Sequence, residues 1–344
     1  MSLTTVAALR DAGLVQCEDE SALSAVAQRY AIAITPDMAA LIESPQDPIG
    51  LQFVPQMAEL QQSEQELLDP IGDSAHMPVE GVVHRYPDRV LLKLLHACPV
   101  YCRFCFRREV VGPAGAGMLS GQALQQALAY IRQDTRIWEV ILTGGDPLAL
   151  SPRRLREVME ALATIAHVKV VRLHSRVPAV EPSRISDEMV SALQTFPRAL
   201  YVALHANHPR ELTHAARTAC ARLIDAGIVM VSQSVLLRGV NDDVETLADL
   251  MRAFVETRIK PYYLHHPDLA PGTSHLRVSI EEGQALVRGL LGQVSGLCQP
   301  AYVLDIPGGF GKSPIGPTYL ARQSDGEGYV VEDFRGGLHP YRDR

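Results

Sequence analysis

The chain has 344 residues, 47% of them hydrophobic, and a net charge of −7, enough for one large α/β domain or two small ones. The acidic balance excludes a nucleic-acid partner held by general electrostatics. The opening run MSLTTVAALRDAGLV has no basic region followed by an apolar core, and no apolar stretch is long enough to span a bilayer, so neither a signal peptide nor a membrane partner is expected.

Residues 1–80 read as a polar N-terminal helical region, with helices expected over SALSAVAQRYA and QQSEQELLD. Beyond about residue 87, short β-rich runs alternate with amphipathic ones. The predicted strands are 89–95, 139–144, 168–173, 199–204, 228–235, 260–265 and 301–306. Helical periodicity falls between them, in GQALQQALAYIRQ, SPRRLREVMEALATI, the small-residue stretch 213–226, DVETLADLMRAFVET and SIEEGQALVRGLLGQV. Ser151, Ser279 and Asp242/Asp243 are the expected caps. Continuous apolar strands separated by helices imply a parallel sheet covered on both faces. About seven such units predict an α/β fold, a full or partial (β/α) TIM-like barrel over 81–320, followed by a short C-terminal tail, 321–344.

The run HACPVYCRFCFRR contains Cys98, Cys102 and Cys105 as C-x3-C-x2-C. Three thiolates at this spacing hold three irons of a [4Fe–4S] cluster and leave the fourth iron without a protein ligand, where such clusters normally take four cysteines. In radical S-adenosylmethionine (SAM) enzymes, the amino and carboxylate groups of SAM fill that vacancy, and Tyr101 fits their usual aromatic before the middle cysteine. A zinc knuckle is the competing reading, but His96 is an awkward fourth ligand only two residues before Cys98. The scattered Cys17, Cys220 and Cys298 read as small buried hydrophobes. A thiolate-held cluster needs reduced thiols, so the cytoplasm is the expected compartment.

In a barrel of this kind, chemistry gathers at the C-terminal ends of the strands. The cysteines, Gly144, Gly145 and Asp146, Ser175 and Arg176, His205, Gln233, Asp268, and Asp305 with Lys312 fall at the ends of successive predicted strands. DIPGGFGKSP, residues 305–314, sets Lys312 on a glycine-rich loop. A lysine so placed makes an imine nucleophile, and pyridoxal phosphate (PLP) is the commonest cofactor held this way. A phosphate-binding P-loop is not met, because position 306 is Ile rather than Gly. HRYPDR, ahead of the first predicted strand, carries Arg85, Tyr86 and Arg89, which could clamp a phosphate or form an ordinary surface ion pair.

With these residues, the chain resembles the lysine 2,3-aminomutase family, radical SAM enzymes that also use PLP. The resemblance spans roughly residues 80–320, through HRYPDRVLL, the cysteine run, TGGDPL, LHANHP, QSVLLRGVND, PYYLHHPDL and VLDIPGGFGKSP. It implies that Cys98, Cys102 and Cys105 hold the cluster, that Lys312 carries PLP, and that Arg85, Tyr86 and Arg89 grip its phosphate. It implies that Gly144, Gly145 and Asp146, with Ser175, Arg176, His205 and Gln233, contact SAM. Arg107 would pair with the substrate carboxylate, and Asp268 and Asp305 would receive the distal ammonium of L-lysine.

Phe310 stands where the family usually has glycine, which leaves the loop path and stereochemical course open. The implied reaction is a radical 1,2-amino migration giving β-lysine, driven by a one-electron reductant of flavodoxin or ferredoxin type. The chain stops soon after Lys312, and in this it is similar to the short form that supplies (R)-β-lysine to a ligase acting on elongation factor P. Alternatives are a 2,3-aminomutase for another amino acid, such as glutamate or arginine, and a radical SAM or Fe–S protein without PLP. The two aspartates disfavour glutamate. A homo-oligomer is left open.

Overall fold

The structure is a computed structural model that describes residues 1–112, 117–324 and 328–343. One nine-stranded sheet organises it, and its strands neighbour one another in chain order. β1 (Val82–Tyr86) and β2 (Arg89–Leu95) form an antiparallel hairpin. From β2 the sheet runs parallel through β3 (Glu139–Gly144), β4 (Val170–Ser175), β5 (Ala199–His205), β6 (Val229–Val235), β7 (Lys260–His265) and β8 (Ala301–Ile306). β9 (Gly311–Pro314) returns antiparallel to β8. This is the expected partial TIM-like barrel, with an antiparallel strand added at each end.

The five helices predicted between the strands all form, and a further short one, Asp187–Leu193, which the period did not reveal, precedes β5. Pro152–Ala163 buries Leu155, Val158, Met159 and Leu162, one stripe facing the sheet. Its N-terminus is satisfied by the Ser151 side chain, which accepts from the Arg154 N–H. Gly121–Gln133, His214–Asp225, Val244–Glu256 and Ile280–Leu290 cross over between other parallel strands. Asp243 caps Val244–Glu256, and Ser279 forms a capping box with Glu282. All six residues of β3 are buried, as a strand covered on both faces requires.

Residues before β1 have a core of their own, in which Leu9, Val26, Ile34, Met38 and Phe53 pack with Val100 and Val180 of the barrel. The expected helix over QQSEQELLD is absent. Tertiary partners claim that segment instead: Glu66 pairs with Arg277 at 2.5 Å, and the Leu67 N–H donates to the Leu269 carbonyl. Cys220 and Cys298 are buried, but Cys17 is exposed, contrary to the expectation for it.

The C-terminal segment folds into a second sheet of β10 (Leu320–Arg322), β11 (Tyr329–Glu332) and β12 (Leu338–Tyr341). No helix among the described residues is long and apolar enough to cross a membrane.

Candidate active site

A cavity of about 560 Å³ runs through the barrel interior, from Arg89 and Glu139 at the starts of β2 and β3 to the C-terminal ends of the parallel strands, and every candidate site residue named from the sequence lines it. Folding thus gathers groups spread from Arg85 to Lys312 around one space.

The cysteine loop follows β2 and is fastened from the N-terminal side. The Tyr101 N–H donates to the Ala33 carbonyl, and the Arg103 N–H to that of Gln52, at 3.0 and 2.8 Å. Arg103, 1% exposed, lies beneath the loop and pairs with Glu59, which has no exposed surface. Arg108 joins the same carboxylate. Burial alone would raise the Glu59 carboxyl, but the two guanidiniums hold it below its usual range. One carboxylate therefore anchors two arginines of the loop.

Burial pushes the Cys98 thiol well above its ordinary range, with the charges of Asp146, Cys105 and Cys102 adding to the effect. Burial also raises Cys102, against the Arg176 cation, and raises Cys105 to about 11. Three buried thiols that influence one another suit a centre whose positive irons would favour their thiolates. Among the described residues, no group of three or more His, Cys, Asp or Glu could hold a single metal ion. A multi-iron cluster, with one iron per thiolate, is the arrangement the donor set fits.

The next wall comes from β3 and β4. Gly144 has φ +116°, and a Cβ there would collide with the Leu95 carbonyl; one at Gly145 would collide with Ala97. These glycines let the end of β3 press against the start of the cysteine loop, a role their spacing alone did not reveal. The Asp146 carboxylate is turned inward. It accepts from the Ser175 hydroxyl at 2.7 Å and the Arg176 N–H at 2.6 Å, tying the two strand ends together. His205 leans on Phe104, with ring centroids 5.6 Å apart, and burial holds its imidazole well below the usual range. Gln233 lies within β6 and also reaches the cavity.

The third wall corrects two placements. HRYPDR does not precede the sheet: Arg85 and Tyr86 end β1, and Arg89 begins β2. Lys312 is not on a loop but on β9, directly opposite Asp305 in the β8–β9 register. The turn carries Phe310, which is 80% exposed and points away from the chemistry. Cross-strand partners share a face, so the Lys312 ammonium reaches the Asp305 carboxylate at 2.6 and 2.7 Å. The Lys312 N–H also donates to the Tyr86 hydroxyl at 2.7 Å, so the first and last strands of the sheet meet here.

Burial would raise Asp305, but the hydrogen bond from His265 and the charge of Lys312 pull it far below the carboxylate range. Asp268 behaves oppositely: burial and the charge of Asp305 raise it to about 7. Arg85 donates to the Ile71 carbonyl at 2.6 Å and lies 3.4 Å from Asp73, while its buried Nε has no partner. Arg89 stacks over the Tyr86 ring at 3.7 Å. The orphaned Nε beside a phenol, a second guanidinium and Lys312 fits a phosphorylated aldehyde such as PLP.

Sequence reasoning missed Asp73, Glu59 and Glu211. Asp73 receives Arg107 at 2.9 Å and also faces Arg85 and Lys93. Glu211 pairs with Arg176 at 2.6 Å and accepts from the Asn207 N–H. Only Glu211 has a sequence signal, its place at the end of LHANHPRE; Glu59 and Asp73 lie before the segments that resemble the family.

Residues 92–251 match the Radical SAM superfamily and residues 287–344 match the family described as Lysine-2,3-aminomutase. The chain is 38% identical over 326 residues to an L-lysine 2,3-aminomutase of Clostridium subterminale, covering 94% of this chain and 78% of that one. An L-lysine 2,3-aminomutase of Bacillus subtilis is 34% identical over 326 residues, with 94% and 69% covered. A glutamate 2,3-aminomutase of Clostridioides difficile is 35% identical over 316 residues, with 91% and 74% covered. At this identity over nearly its whole length, with the three thiols gathered in one cavity, the chain belongs to the lysine 2,3-aminomutase family, isomerases of the radical SAM superfamily whose shared cofactors are a [4Fe–4S] cluster and SAM.

Proposed function

We propose that the protein is a PLP-dependent L-lysine 2,3-aminomutase that converts lysine to β-lysine. The observation that carries the substrate choice is the ammonium of Lys312 seated on Asp305, with Asp268 in the same cavity. A pocket in which one carboxylate already receives a primary ammonium, with a second carboxylate in the same cavity, suits the distal end of lysine. It repels the side-chain carboxylate of glutamate, which disfavours the activity named for the Clostridioides difficile relative.

Arg107 serves the substrate carboxylate, for which its planar fork is suited. Because Arg107 now holds Asp73, that carboxylate must yield when substrate binds. Arg85, Tyr86 and Arg89 hold the PLP phosphate, and Lys312 is its attachment point. Cys98, Cys102 and Cys105 ligate the cluster. Gly144, Gly145, His205 and Gln233 bound the SAM space, while Asp146 and Ser175 shape it by tying β3 to β4.

The bound cofactors supply radical generation and stabilisation; the chain supplies binding, orientation and exclusion of water. A one-electron reductant of flavodoxin or ferredoxin type and a cytoplasmic setting complete this reading. We assign the β-lysine product to a ligase acting on elongation factor P, on the family resemblance alone.

The test is anaerobic assay of the reconstituted protein with SAM, PLP and either lysine or glutamate. Lysine should be the better substrate, and faster turnover of glutamate would overturn the reading. Borohydride reduction of the PLP-loaded protein, followed by peptide mapping, should place the pyridoxyl group on Lys312. A label on another lysine would remove that role while leaving the substrate choice intact.

A pH dependence follows from Asp268. Its carboxyl is held up near 7 by burial and by Asp305, opposed by Lys312 and Arg107. Below that pH it is protonated and cannot pair with an ammonium. Lysine affinity should therefore rise with pH, by about tenfold per unit below 7 where binding releases one proton, and then level off. The sign for folding is the reverse: a carboxyl raised in the folded state contributes less stability as pH increases towards 7. The KM for lysine, measured from about pH 6 to pH 8, should fall in the parent and stay nearly flat in Asp268→Asn. A parent profile as flat as that of the variant would exclude Asp268 from substrate binding.

A further inference from the structure

We propose that Arg176 and Glu211 form a charged pair that sets the reduction potential of the cluster through the sulfur of Cys102. Arg176 Nη1 donates to Cys102 Sγ at 2.8 Å. Among the described residues no side-chain cation donates to the sulfur of Cys98 or Cys105, and the Asp146 N–H beside Cys98 goes to the Ala97 carbonyl. One of the three iron-binding sulfurs is thus singled out by a full cation.

That cation is built in. Arg176 is 6% exposed, and its Nη2 donates to Glu211 at 2.6 Å and to Gln52 Oε1 at 2.5 Å. Glu211 is fully buried and also accepts from Gln52 and from the N–H groups of Asn207 and His208. The Phe53 ring lies 4.6 Å from the guanidinium carbon on one side and Phe104 5.4 Å on another. A flexible surface arginine would be screened by water. This one is fixed in a buried site, where charges are screened less than at the surface.

The order of charges fixes the sign. Reduction by the one-electron donor adds one negative charge to the cluster. Arg176 is in contact with a cluster ligand and favours that charge; Glu211 stands behind Arg176 and opposes it. Arg176 is in this respect a positioning residue that acts through Cys102, a hydrogen bond to a cluster sulfur being one of the ways a protein tunes such potentials. A merely structural role for the ion pair would predict the same outcome whichever partner is removed. A tuning role predicts opposite shifts.

The proposal rests on the family's cluster and not on the choice of lysine as substrate, so its test reads the cluster itself. The reconstituted holoenzyme of the parent, Arg176→Met, Arg176→Lys and Glu211→Gln is titrated with dithionite under EPR detection, with iron and sulfide measured for each. Arg176→Met should make reduction at least tenfold less favourable, a shift of about 59 mV to lower potential for one electron. Arg176→Lys, which keeps the charge, should recover most of it. Glu211→Gln should move the potential upward.

If Arg176→Met fails to hold a full cluster, the Lys and Gln variants still carry the test of sign. An unchanged or lowered potential in Glu211→Gln, or shifts of the same sign on removing either partner, would overturn the assignment. An incorrect substrate reading would leave these potentials unaltered.

Discussion

Replacing Asp305 by Asn should lower kcat/KM for lysine by about a hundredfold or more, while capture of PLP is retained. Asp305 is the carboxylate on which the Lys312 ammonium now rests. The same pocket is assigned to the distal ammonium of the substrate once Lys312 has taken up PLP. A buried ammonium left without its counter-charge costs several kcal/mol in order of magnitude. The Asn side chain keeps the shape and one acceptor but removes the charge.

PLP uptake should be at least as fast as in the parent, because the variant no longer holds Nζ in an ion pair. The two readouts therefore separate. Absorbance of the PLP adduct reports Lys312, and turnover of lysine reports Asp305. Full lysine activity in the variant would remove Asp305 from substrate recognition. A parallel loss of PLP would show that the β8–β9 hairpin had been damaged instead.

The second large effect concerns stability. Glu59 is fully buried and carries both Arg103 and Arg108, themselves almost completely enclosed. Glu59→Gln should leave two guanidiniums without a counter-charge, at a cost of about 3–5 kcal/mol. The loss should fall on the cysteine loop, since Arg103 and Arg108 lie between and just beyond its thiols. A lowered Tm together with fewer irons per chain is the expected result. Adding Arg103→Met to Glu59→Gln should recover part of the stability, because it removes one of the stranded charges. A Tm within a degree of the parent would show that the carboxylate is not the anchor.

Local pattern carried much of this protein. The C-x3-C-x2-C spacing is set within eight residues, and no distant contact is needed to recognise it. The alternation of apolar runs with 3.6-residue periods identified β2–β8 and the long crossover helices between them, though not the short Asp187–Leu193 before β5, because both periods are properties of the backbone geometry itself. Ser151, Ser279 and Asp243 were legible as caps for the same reason: each side chain serves an N–H three residues on.

Tertiary structure decided what local pattern could not. QQSEQELLD has a helical composition, yet Glu66 is held by Arg277 and the Leu67 N–H by Leu269, partners some two hundred residues away. Lys312 read as a loop residue because three glycines surround it; the β8–β9 register instead makes it the cross-strand partner of Asp305. Asp73, Glu59 and Glu211 carry no motif of their own. Each acquires its meaning from arginines that the fold brings alongside it, Arg107, Arg103 and Arg176 in turn. Local spacing and periodicity were enough to name the candidate cofactor-binding groups and the barrel that presents them. Only the folded chain decided how their charges are compensated, because compensation depends on distance in space and on exclusion of water, neither of which is written in the spacing of residues.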